Sequence, residues 1–92
     1  MKTGITITYF SGESESLVAS TPEFVKWERK TGLKVTQLGE NVGLDDLLFL
    51  AYNAKKREQA GQAIKPYEIW CDTIDEVRSD SIESPKATPP EA

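Results

Sequence analysis

The residues able to carry chemistry are few. Cys71 is the lone cysteine and the chain contains no histidine. Acyl transfer through a serine or cysteine generally needs a base such as histidine beside the nucleophile, so that route lacks its second member. A single cysteine also makes neither an intramolecular disulfide nor a zinc site of Cys and His ligands. Cys71 falls in an apolar stripe and is expected to be a packing thiol. Paired carboxylates occur at Asp45-Asp46 and Asp75-Glu76, and such pairs can serve glycosidases or bind hard cations. Asp45 and Asp46, however, sit where a helix should begin, and there the macrodipole favours negative charge by about 0.3–1 kcal/mol per group. Helix-end electrostatics is the expected role. Gly32, Gly39 and Gly43 lack the spacing of a phosphate loop. The expectation is a protein that is not an enzyme and that uses no cofactor and no metal.

Composition narrows the classes further. A length of 92 residues allows one small domain with a thin core. Eleven Lys and Arg against 15 Asp and Glu give a net charge of −4, which removes the attraction that supplies most nucleic-acid affinity, so no nucleic-acid partner is expected. No apolar run approaches the roughly 20 residues of a membrane span, and the alternating start lacks a signal-peptide core. A soluble, cytoplasmic protein is expected.

Several elements can be placed from pattern alone. Ile5 to Tyr9 alternate apolar and polar residues with period two, the signature of a half-buried strand. Ser11-Gly12-Glu13-Ser14 has turn composition, and Glu15 to Ala19 can return as a second strand, giving a hairpin. Such a hairpin is marginal alone in water and must lean on the helices that follow or on another chain. Pro22 opens a first helix to about Thr31, with acid early, Arg29 and Lys30 late, and Gly32 to end it. Leu33 to Val42 reads as a connector. A second helix runs from near Gly43 to before Gly61, with the stripe Leu44, Leu47, Leu48 and Ala51. Phe49 and Leu50 point away from that stripe, so the helix either has neighbours on two sides or offers a contact surface. Pro66 opens a third helix in which Tyr67, Trp70, Cys71, Ile74 and Val77 recur at helical spacing.

The fold class expected is thus α+β, mainly α: an N-terminal β-hairpin packed on a three-helix core built on Trp27, Leu47, Leu48, Ala51, Trp70 and Ile74. The domain should span residues 1–78. Residues 79–92, rich in Ser, Pro and charge, should form a disordered C-terminal tail.

Three blocks, Trp27-Glu28-Arg29-Lys30-Thr31-Gly32, then Leu48-Phe49-Leu50-Ala51-Tyr52-Asn53-Ala54-Lys55-Lys56, then Pro66-Tyr67-Glu68-Ile69-Trp70-Cys71 continuing to Val77, together resemble the tail assembly chaperones of long-tailed bacteriophages. The resemblance covers about Thr21 to Val77. A strand hairpin before Thr21 is in keeping with it, although the length of this hairpin, with Tyr9 and Phe10, is not matched to the family pattern, and a more apolar residue is expected at Cys71. The resemblance implies a non-enzymatic protein of the host bacterial cytoplasm, absent from the mature virion. It would bind the tape measure protein, keep it soluble and help recruit tail tube subunits. In many members of that family ribosomal frameshifting makes a longer form with a second, tube-binding domain, to which the tail from Ser79 would be the linker. Self-association is a further expected partnership. With the excess apolar surface of the second helix, this reading places partner binding on Phe49, Leu50 and Tyr52. The alternative is a small acidic phage regulatory or inhibitor protein that binds a host protein through surface acids.

Overall fold

The computed structural model describes residues 1–38 and 42–80. The chain begins with two antiparallel strands, β1 (Lys2–Tyr9) and β2 (Ser14–Ser20), joined by a turn in which Gly12 takes φ 96°. Their register sets Ile5 opposite Leu17 and Ile7 opposite Glu15. Period-two alternation then sends Thr3, Ile5, Ile7, Leu17 and Ala19 to a buried face, while Lys2, Thr6, Ser14 and Ser16 stay in water.

Among the described residues four helices follow the hairpin: α1 (Thr21–Thr31), α2 (Val35–Leu38), α3 (Leu44–Glu58) and α4 (Tyr67–Cys71). Ser20 precedes α1, and its N–H donates to Glu23 Oε1 at 2.8 Å, one arm of a capping box. Gly32, at φ 77°, closes the helix in the left-handed conformation that costs glycine least. The short α2 lies within the expected connector, and its Leu38 is buried in the core. The core is one layer between sheet and helices, combining Ile5, Ile7, Leu17 and Ala19 with Phe24, Trp27, Leu38, Leu50, Ala51, Ala54 and Trp70. Among the described residues no helix is long and apolar enough to cross a membrane.

The mainly-α expectation is overturned at the third helix. That helix stops at Cys71, and Ile74–Ser79 form a third strand, β3, antiparallel to β1, so the sheet order is β2-β1-β3. The hairpin is therefore two strands of a three-stranded sheet. Asp72 N–H bonds back to Glu68 and Ile69, and Thr73 Oγ1 donates to the Trp70 carbonyl at 2.6 Å, which ends α4 after little more than a turn. Beyond that point the otherwise unpaired edge of β1 offers a whole ladder of backbone hydrogen bonds, and β-branched Ile74 and Val77 suit a pleated surface. The domain limit also moves. Ser79 belongs to β3, and Asp80 donates its N–H to the Gly4 carbonyl at 2.9 Å while its own carbonyl accepts from Thr3 Oγ1. The expected tail beyond them, residues 81–92, lies outside the described residues.

Candidate functional site

The second helix of the sequence reading, α3, is where partner binding was expected, and its phase decides the matter. Leu47, Leu50, Ala51 and Ala54 form its buried stripe at i, i+3, i+4 and i+7. Leu50 is 0% exposed at the centre of the core and cannot meet a partner. Its neighbours on the expected triad are half-buried on other sides of the helix. Phe49 lies under the Lys30 ammonium, 4.6 Å from the ring centroid. Tyr52 packs against Tyr67 and Trp70, with centroids 5.2 and 5.3 Å away, and its hydroxyl donates to the Lys65 carbonyl at 2.6 Å. Phe49, Leu50 and Tyr52 therefore do not form one contact surface. The physical reason is that the sheet, not a second helix layer, lies across α3 and selects the Leu47–Leu50–Ala51–Ala54 face.

The same rotation lifts Leu44 out of the core. Leu44, expected in the buried stripe, is 67% exposed. With Leu48, Cys71, Ile74 and Val77 it lines a groove of about 270 Å³ between the first half of α3 and β3, with Asp75 and Glu76 at the rim. Two polar ties fix the start of α3, which forms one wall. Tyr67 Oη donates to Asp45 Oδ1 at 3.0 Å, fixing α4 to the start of α3, and Trp27 Nε1 donates to Asp46 Oδ1 at 2.8 Å, fixing α1 there. Asp46 also accepts the Gly43 N–H at 3.0 Å. The acidic pair is thus engaged in helix-end and cross-helix bonds. Burial pushes the Cys71 thiol up, against the opposing hydrogen bond from Tyr67 and with help from the nearby Asp45, Asp72 and Glu68 charges. It stays protonated and forms part of an apolar wall rather than a nucleophile. Ile69, 53% exposed on the outward side of α4, adds apolar surface to the same helix as Cys71.

On the other side of Trp70 a larger cleft, about 820 Å³, opens between the hairpin tip, the end of α3 and the segment before α4. Its floor is a polar chain. Trp70 Nε1 donates to Tyr9 Oη at 3.1 Å, Tyr9 Oη donates to Glu15 Oε1 at 2.6 Å, and Lys55 Nζ and Gln59 Nε2 donate to Glu15 at 2.9 and 2.7 Å. Burial and the hydrogen bond to Glu15 push the Tyr9 hydroxyl up to about 12. Burial pushes the Glu15 carboxyl up, but the donors from Tyr9, Lys55 and Gln59 outweigh it and hold the group below its ordinary range. A carboxylate so engaged anchors β2 to α3 and has little basicity left for proton transfer.

Glu23 repeats the pattern under the opposite end of the sheet. Its burial is outweighed by Arg57, whose Nε and Nη2 donate at 2.8 and 2.9 Å, and by the Ser20 N–H, so this carboxyl too is held low. Both acids bind protons more weakly folded than unfolded. The stability they contribute is complete above the unfolded value of about 4.3 and is lost as pH falls through their lower folded values. Thermal melting followed from pH 7 to pH 3 should show Tm falling below about pH 4.3, with a shallower fall in Glu15→Gln. A Tm that holds or rises in acid contradicts these assignments.

No family model, curated protein or solved structure matches the chain. The three blocks that carry the sequence resemblance lie on α1 with its glycine cap, on α3, and across α4 and β3. The last block is a helix, a turn and a strand rather than one helix. The apolar groove was not legible in sequence, because Ile74 and Val77 join Leu44 and Leu48 only through the strand.

Proposed function

We propose that this chain is a non-enzymatic binding protein that holds an apolar segment of a larger partner, in the manner of the phage tail assembly chaperones its three sequence blocks resemble. The partner is the tape measure protein, held soluble in the host cytoplasm until tube subunits are recruited. The observation that carries this reading is the α3–β3 groove, with exposed Leu44 at its mouth and Leu48, Cys71, Ile74 and Val77 as its walls. Burying such a surface is favourable by about 25 cal/mol per Å² of apolar area. The acid-rich remainder, net charge −4, would keep the complex in solution.

Co-expression tests the reading. Tape measure protein should be largely insoluble alone and soluble with this chain, and the complex should survive raised salt, because apolar contacts are not screened as exposed charges are beyond about 8 Å. Equal solubility with and without the chain overturns the proposal. A complex that dissociates in moderate salt overturns it in favour of an acidic inhibitor.

A further inference from the structure

The two edges of the sheet are treated differently. On β2 the free edge is closed by α3: the Val18 N–H donates to Glu58 Oε2 at 3.3 Å, and Arg57 Nη2 donates to the Val18 carbonyl at 3.3 Å. On β3, among the described residues, no side chain bonds to the strand's outer backbone groups. An open edge of this kind is a template for pairing with another strand.

We infer that β3 pairs antiparallel with β3 of a second copy of this chain, around a two-fold axis through Val77. Three observations favour this partner and this register. Asp80 N–H donates to the Gly4 carbonyl, so in the alternating antiparallel pattern Arg78 and Glu76 turn their backbone groups towards β1. Val77 and Ser79 therefore turn theirs to the free edge. Centring on Val77 makes Val77 and its symmetry mate a hydrogen-bonded pair, each N–H donating to the other's carbonyl. It also makes Glu76 and Arg78 of opposite copies a non-hydrogen-bonded pair, the kind whose side chains approach most closely.

Charge complementarity is the second observation. Glu76 and Arg78 share the solvent face of the strand and already touch at 3.2 Å within one chain. In the Val77-centred register each Glu76 faces an Arg78 across the axis, twice over, as an isologous interface requires. Centring one residue later would set Arg78 against Arg78 and Glu76 against Asp80, and centring on Ser79 would set Arg78 against Asp80 but would leave the first half of β3, Glu76 included, with no β3 residue opposite it. The third observation is on the inner face, where Val77 is half-buried and lines the Leu44–Leu48 groove. Pairing at Val77 brings the grooves of the two copies side by side under a six-stranded sheet. This inference is independent of what the groove binds.

Sedimentation equilibrium of the full chain from about 1 μM to about 1 mM is the test. A concentration-dependent dimer is expected. Glu76→Arg and Arg78→Glu should each weaken it by roughly tenfold or more, since like charges then face each other twice. Mixing those two variants should restore association as a heterodimer, and the double exchange Glu76→Arg/Arg78→Glu should associate like the parent. Val77→Pro should abolish the dimer while near-UV circular dichroism is retained, because the N–H it removes is not bonded to β1. A monomer throughout, a dimer indifferent to both single charge variants, or failure of the mixed variants to associate overturns the inference.

Discussion

Trp27→Ala is expected to destabilise the protein by about 3–5 kcal/mol, measured by urea unfolding. Trp27 is 2% exposed, and it does two jobs that alanine cannot. Its ring fills the layer between α1, α3 and the sheet alongside Phe24 and Leu38. Its Nε1 donates to Asp46 at the start of α3, so truncation also leaves that carboxylate without a cross-helix donor. A domain of this size holds only roughly 5–14 kcal/mol in total, at about 0.05–0.15 kcal/mol per residue. The loss is therefore a large part of the whole. Leu50→Ala should cost about 2–5 kcal/mol for the same reason, a cavity under the sheet. A variant at either position that melts like the parent would contradict the core described above.

The parts of the fold that sequence revealed are those fixed by local pattern. Alternation from Ile5 to Tyr9 marked β1, and proline, early acid and Gly32 marked both ends of α1. What stayed hidden depends on distant partners. The bulge at Asp75 lets Ile74 face Tyr9 and Val77 face Ile7, so two inward residues of a strand lie three apart. That spacing imitates a helix, and with Tyr67, Trp70 and Cys71 before it, it extends a real helical period into a strand. Only the unpaired edge of β1 distinguishes the two, and no local window contains it.

The candidate site was legible to a similar extent. The surplus of apolar residues on α3 is real, since its period admits more of them than one face can bury. Which ones are surplus depends on the rotation of the helix over the sheet. Of the Leu44–Leu47–Leu48–Ala51 stripe read from sequence, Leu47 and Ala51 are buried, but Leu44 went outward and Leu50 inward. The groove then needed β3, which brings Ile74 and Val77 to residues some thirty positions earlier. Glu15 and Glu23 show the same dependence: each is an ordinary acid in its own segment and becomes a fixed anchor only through Lys55 or Arg57 of α3.

Backbone and side-chain chemical shifts, followed by NMR as an apolar segment of the tape measure protein is added to the full chain, test the central claim most directly. The expected result is perturbation of Leu44, Leu48, Cys71, Ile74 and Val77, with the core residues Trp27 and Leu50 unmoved. Leu44→Ser should abolish those perturbations with Tm nearly unchanged, because substitutions at exposed positions usually stay within about 0.5 kcal/mol. Perturbations confined to the cleft around Glu13, Glu15 and Asp72, or a Leu44→Ser protein that binds like the parent, would contradict the assignment of the groove as the binding surface.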